Sequence, residues 1–167
     1  NGNYVVPSSY WDNGTAVDAG AVTWGNGMTG VTGPITPANS LVGSTAGDQL
    51  GYDGFVVLPN GNYVVRNYRW DNGVAVDAGA VTWGSGSAGV CGIISAANSL
   101  VGSTTNDRVG EGPQLSANDG AYVFSSPKWN NGELSDAGAV MLLPPAGGVT
   151  GGLSATAGVI GTVATRG

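Results

Sequence analysis

The sequence predicts an all-β protein, a β-propeller-like array of four-stranded antiparallel blades that is incomplete within one chain. Three observations carry this expectation. Glycine occupies 31 of 167 positions and charged residues only 10%, against a typical quarter for charge. The glycines separate short runs of Val, Ile, Leu and aromatic residues, as in strands joined by tight turns. The chain also repeats on a 59-residue grid that aligns Trp11 with Trp70 and Trp129, and Asp18 with Asp77 and Asp136.

Internal periodicity organises everything else. Residues 1–51 and 60–110 align without a gap and share 35 identities in 51 positions. The third copy keeps its front half, but Leu142 stands where Trp24 and Trp83 do, and "ANSLVGST" becomes "TAGVIGTV". The units are therefore drawn as 1–51 (lacking a first strand), 52–110, and 111–167, the last degenerate and suited to be a cap, since end repeats are atypical.

Within the middle unit four strands are predicted, at 54–58, 62–68, 78–84 and 98–103. The first pair is joined through "LPNGNY", where Asn60-Gly61 predicts a type I′ hairpin turn because both residues tolerate positive φ. The second connection, "WDNGVAVD", is longer and rich in residues whose side chains fold turns. In "AGAVTWG" the period of two places Val81 and Trp83 on one face and Ala80 and Thr82 on the other. "ISAANSLVG" suggests at most one helical turn between glycines. Trp24 and Trp83, at mid-strand, are expected to pack in the core or between units, with the glycine-rich backbone as acceptor for their N–H groups.

Four strands in a unit of this length is propeller-blade arithmetic, with a β-solenoid as the alternative. The elements "GDQLG", "GFVVLPNGNYVV" and "DAGAVTWG" resemble the FG-GAP blades of integrin-type propellers. The chain resembles more closely the uncharacterised "LPNGNYVV…WDNG…DAGAVTWG" repeats of large bacterial surface proteins, including filamentous-haemagglutinin-like ones. That resemblance implies an extracellular or cell-surface setting in a bacterium and imports no activity. FG-GAP blades often hold Ca²⁺ in an Asp-rich hairpin loop. Here that loop reads "PNG", which lacks the oxygens a hard cation needs, so no cofactor is expected and Ca²⁺ is not favoured.

Three blades are too few to close a propeller, and an open array leaves edges that pair with another chain. The expected partners are the protein itself, as a homo-oligomer or filament, or further repeats of a longer parent chain. The first residues, "NGNYVV", imply that any targeting segment has been removed or was never included.

Composition disfavours several functions. The net charge is −6, with basic residues only at Arg66, Arg69, Arg108, Lys128 and Arg166, so no clustered cations meet phosphate. No apolar run reaches the roughly 20 residues of a membrane-spanning helix. There is no histidine and a single cysteine, Cys91, which disfavours a Ser-His-Asp triad, an activated thiol and a cysteine metal cluster. Most of the eleven carboxylates recur on the grid, whereas a glycosidase needs one asymmetric pair. No enzyme and no catalytic residue is expected.

The strongest polar constellation is a repeated corner. It comprises Trp11, Asp12, Asn13 and Asp18, then Trp70, Asp71, Asn72 and Asp77, then Trp129, Asn130, Asn131 and Asp136. The leading expectation is structural: Asp and Asn fold the loop through side-chain-to-backbone bonds, and Trp packs between units. The protein is then a structural or adhesive module acting through interaction surfaces and self-association. The alternative is a carbohydrate-binding, lectin-like module, in which exposed indoles would stack on surface glycans and the Asp and Asn groups would bind hydroxyls. A corner loop that takes Ca²⁺ through its Asp and Asn oxygens is a further alternative that is not favoured, and no metal ligands are assigned.

Overall fold

The computed structural model describes residues 2–154, 156 and 158–162. Among them every regular element is a strand. The first repeat contributes β1 (Tyr4–Ser8), β2 (Ala21–Gly25) and β3 (Ser40–Val42). The second contributes β4 (Phe55–Val57), β5 (Tyr63–Asn67), β6 (Ala80–Gly84), β7 (Gly92–Ile93) and β8 (Leu100–Val101). The third contributes β9 (Gln114–Ser116), β10 (Tyr122–Ser126), β11 (Ala139–Leu143), β12 (Gly151–Gly152) and β13 (Gly158–Ile160).

The four strands read from the middle repeat are all present as β4, β5, β6 and β8, each within the predicted span. They do not form self-contained antiparallel sheets, however. The sheets run β1-β2-β3-β7, β12-β8-β6-β5-β4 and β13-β11-β10-β9, all open. In the first two, the outer edge is completed by a two-residue parallel strap from the next repeat, with Leu41 opposite Gly92 and Leu100 opposite Gly151. The strap is a correction to the purely antiparallel expectation. At two residues it is too short for any alternation of apolar and polar positions to mark it as a strand.

Two local expectations also change. The β4–β5 connection is a three-residue loop closed by Leu58 N donating to the Asn62 carbonyl at 2.7 Å, and only Gly61 has positive φ, at 86°. Pro59 pre-sets the αR entry of a type I turn, so a single left-handed residue completes the loop and type I′ is displaced. The "ISAANSLVG" segment makes one hydrogen-bonded turn, with Asn98 and Ser99 N both donating to the Ser95 carbonyl, and no helix.

The core lies between sheets. One cluster joins Val22, Leu41 and Leu50 of the first repeat to Tyr63, Val65, Trp70 and Ile94 of the second. The other joins Val64, Val81, Leu100 and Val109 to Tyr122, Phe124, Trp129, Met141 and Leu153. Alternation along a strand therefore feeds two cores: Val64 faces the third repeat while Tyr63 and Val65 face the first. Fully burying each such side chain is worth about 1.5–3 kcal/mol, so these two interfaces dominate the stability of the array.

The glycines permit the close approach. Gly20 and Gly79 have φ of 76° and 78°, and a Cβ on either would overlap the backbone of Leu50 or Val109, which cross directly above. Gly89 and Gly148 receive Trp24 and Trp83 of the preceding repeat, and a Cβ there would lie 2.7 and 2.8 Å from those side chains. Trp24 and Trp83 thus pack between repeats. Trp24 Nε1 donates to the Gly86 carbonyl at 3.3 Å, but Trp83 Nε1 has no acceptor among the described residues. The residue aligned with Gly86 is Pro145, and its carbonyl accepts from Asn60 and Asn62 instead.

This geometry separates two glycines on one loop and strand. Gly79→Ala, which combines a left-handed backbone with an overlap on Val109, is expected to destabilise by roughly 2–5 kcal/mol. Gly73→Ala has φ of 63° but nothing within 4 Å of the new Cβ, and is expected to cost about 1–2 kcal/mol. Urea unfolding of the two variants measures the difference; equal losses would mean that contact with Val109 is unimportant.

Candidate functional site

The repeated corner begins where β5 ends. Trp70 N donates to the Asn67 carbonyl and the Trp70 carbonyl accepts from Gly79 N at 2.9 Å, closing the loop at its base. Asn72 and Ala75 exchange backbone bonds of 3.0 and 3.1 Å around Gly73. Inside this frame Asp71 Oδ1 accepts from Asp77 N at 2.9 Å, and Asp77 takes φ of 52°. Asn72 Nδ2 donates to the Gly102 carbonyl at 2.8 Å.

The same bonds recur in the sister repeats. Asp12 accepts from Asp18 N at 2.8 Å and Asn130 Oδ1 from Asp136 N at 2.9 Å. Asn13 donates to the Gly43 carbonyl at 2.9 Å and Asn131 to the Gly161 carbonyl at 3.1 Å. Asp18 and Asp136 hold φ of 54° and 50°, a conformation that Asp and Asn tolerate better than most residues. The first carboxylate or amide of each corner thus holds the second acidic residue in its left-handed turn, and the neighbouring Asn ties the loop to the end of the fourth strand.

The indoles point inward. Trp70 and Trp129 are each 4% exposed and belong to the two inter-repeat cores; Trp11 is half-buried. A sugar platform requires an open ring face, and Trp70 and Trp129 do not present one. Cys91 is exposed and unpaired. Among the described residues no group of three or more acidic or cysteine side chains is placed to hold a metal ion.

A corner built three times from the same bonds is a property of the repeat. A family model described as a repeat of unknown function (DUF5650) matches residues 1–52, 57–111 and 116–166. The chain belongs to this repeat family. No curated protein matches it.

The DUF5650 repeats are pegged together by two residues that sequence reasoning passed over. Asp48 is buried, and its Oδ2 accepts from Ser44 N and Thr45 N at 2.8 Å each, while Oδ1 accepts from Asp71 N of the next repeat at 3.1 Å. Asp107 repeats the pattern with Ser103 N, Thr104 N and, at 3.0 Å, Asn130 N. The corner of each following repeat is therefore docked on a carboxylate of the one before. Their shared place on the 59-residue grid, within "GSTAGD" and "GSTTND", was the available signal. The corresponding position of the third repeat, Arg166, lies outside the described residues, as does the rest of the expected cap from residue 163 onward.

Charged side chains brace the same junction from outside. Arg108 donates to Asp77 at 3.1 Å and to Glu111 at 3.2 Å, and Lys128 reaches Glu111 at 3.3 Å. Arg69 pairs with Asp53 and lies 4.6 and 4.7 Å from the ring centres of Tyr52 and Tyr68, a cation–π arrangement. Burial raises the Asp53 carboxyl above its ordinary value despite Arg69, and raises the Asp48 carboxyl despite its three backbone donors.

Asp107→Ala is expected to lower stability by about 2–4 kcal/mol, since it strands several buried donors. Asp12→Ala, at an exposed corner with one such bond, should cost about 1 kcal/mol; urea denaturation compares them. Because the folded Asp48 carboxyl titrates above 3.8, the folded protein binds more protons than the unfolded chain just above that pH. This contribution is complete below 3.8 and is lost as pH rises through the raised folded value. Denaturation midpoints between about pH 3.5 and 6 should show that decline, and Asp48→Asn should make it shallower.

Proposed function

We propose that this chain is a structural or adhesive module of a bacterial extracellular or surface protein, acting through interaction surfaces, self-association among them, and performing no reaction. The observation that carries this reading is the use made of the corner. In all three repeats the side chains of the first polar residue (Asp12, Asp71, Asn130) and of the following Asn (Asn13, Asn72, Asn131) are engaged in backbone bonds of the array, and the interior indoles are covered. Groups so engaged are poorly placed to bind sugar hydroxyls or a cation. The bacterial surface setting is supported by the likeness of "LPNGNYVV…WDNG…DAGAVTWG" to repeats of large surface proteins. Stacked sheets, in which the second and third repeats complete the edge of the repeat before, support a reading as blades of a propeller-like array.

Titrating the chain with simple sugars and with Ca²⁺ while following tryptophan fluorescence should produce no saturable change. A saturable response that Asp71→Ala or Asn72→Ala removes from the folded protein would overturn the structural reading in favour of ligand binding at the corners. Placement is tested on intact cells of the source bacterium: added protease should cut the chain without lysis, and protection until lysis would overturn a surface location.

A further inference from the structure

The two end faces of the array expose residues that the repeat buries everywhere else. On the first repeat Tyr4 and Val6 are 41% and 46% exposed, whereas their equivalents Tyr63 and Val65 are 2% and 1% exposed. On the third repeat Val140 and Val159 are 47% and 75% exposed, whereas Val22, Val81, Leu41 and Leu100 at the same grid positions are at most 1% exposed. Leu142, in the place of the inter-repeat tryptophans, is likewise 58% exposed. The two faces are not alike: one is the upper half, the other the lower half, of the interface formed twice inside the chain.

The edges match in the same way. At both internal junctions the strap donates from alternate residues: Ile94 N to the Val42 carbonyl, Gly151 N to the Ser99 carbonyl, and Leu153 N to the Val101 carbonyl. The third repeat offers the equivalent acceptor edge on β13, which is paired on one side only, to β11, among the described residues. The first repeat holds the equivalent donor, residues 33–35, outside any sheet. Pro34 falls at the middle of that strap, whose N–H points away from the ladder, so it removes no bond. Among the described residues, Gly30, the counterpart of Gly89 and Gly148, has only the Tyr4 hydroxyl near its open side, at 3.8 Å.

We propose that a second copy of this chain docks head to tail. Its residues 33–35 add as a parallel strand to β13, and its Tyr4, Val6 and Trp11 pack on Val140, Leu142 and Val159. The occupant is argued from continuity: the two junctions within the chain show the same pair of faces joined by the same strap. Because the contact is heterologous, each docked copy presents a fresh face, and association continues beyond a dimer or closes as a ring. This inference rests on the self-association reading above and specifies its geometry.

The test is mass in solution, by light scattering on the intact chain from roughly 1 to 500 µM. The average mass should rise with concentration past that of a dimer. Val6→Asp disables one face and Val159→Asp the other, each at an exposed position that leaves the fold intact by circular dichroism and thermal melting. Each variant alone should associate about tenfold or more weakly than the parent chain. An equimolar mixture should restore association but stop at a 1:1 dimer, since one good face of each kind remains. Association unaffected by either substitution would overturn head-to-tail docking and leave self-association standing through another surface. A parent chain that stays monomeric throughout would overturn both.

Discussion

The structure depends on one constraint: the sheet of the middle repeat is apolar on both faces, so it needs a neighbour on both sides. In β5 and β6 successive residues alternate between two cores, Tyr63, Val65 and Ala80 toward the first repeat and Val64, Val81 and Trp83 toward the third. No strand of the middle repeat has a polar face to give to water. A single repeat of this kind could not bury its own hydrophobic surface, and stacking supplies the burial that folding requires.

Stacking of this kind needs surfaces that approach closely and in one register. Close approach comes from glycine, where Leu50 and Val109 cross Gly20 and Gly79, and where Trp24 and Trp83 lie against Gly89 and Gly148. Register comes from polar groups. The parallel strap sets the sheet edge, and Asp48 and Asp107 hold a backbone N–H of the following corner. Each carboxylate is buried, and hydrogen bonds from backbone donors reduce the cost of removing its charge from water. Hydrophobic contact alone would let the sheets slide; these bonds resist it.

That division of labour bears on function. A motif of Trp, Asp and Asn repeated three times looks like a multivalent binding site, yet its first Asp or Asn, the following Asn and the interior indoles are engaged in building the loop and the junctions. Among the described residues, the end faces and the edge of β13 are left unengaged, and these are properties of an array and not of a pocket. The surface cluster in which Arg69 lies over Tyr52 and Tyr68, and Tyr52 meets Tyr10, belongs to the same junction, since its residues come from the first two repeats.

The strands, their order within a repeat and the alternation of "AGAVTWG" were legible in the sequence because they depend on residues close together along the chain. The hairpin at Asn60-Gly61 was legible too, but its turn type was not, because Pro59 set the backbone before Asn60 could adopt positive φ. The structural role of the Trp-Asp-Asn corner could be anticipated from the short side chains of Asp and Asn. The strap at Gly92 and Ile93 could not, since its partner, Leu41, belongs to a different repeat and two residues carry no periodic signal. Asp48 and Asp107 were hidden for a similar reason: an Asp in a Gly- and Thr-rich segment reads as a solvated turn until a neighbouring repeat buries it. By itself, then, the sequence determined an all-β repeat, its period and the places of its turns, which follow from short-range sterics and hydrogen bonding. Only the tertiary structure decided which faces are covered, which edges are shared and which carboxylates become pegs, because those outcomes depend on the repeat that comes next.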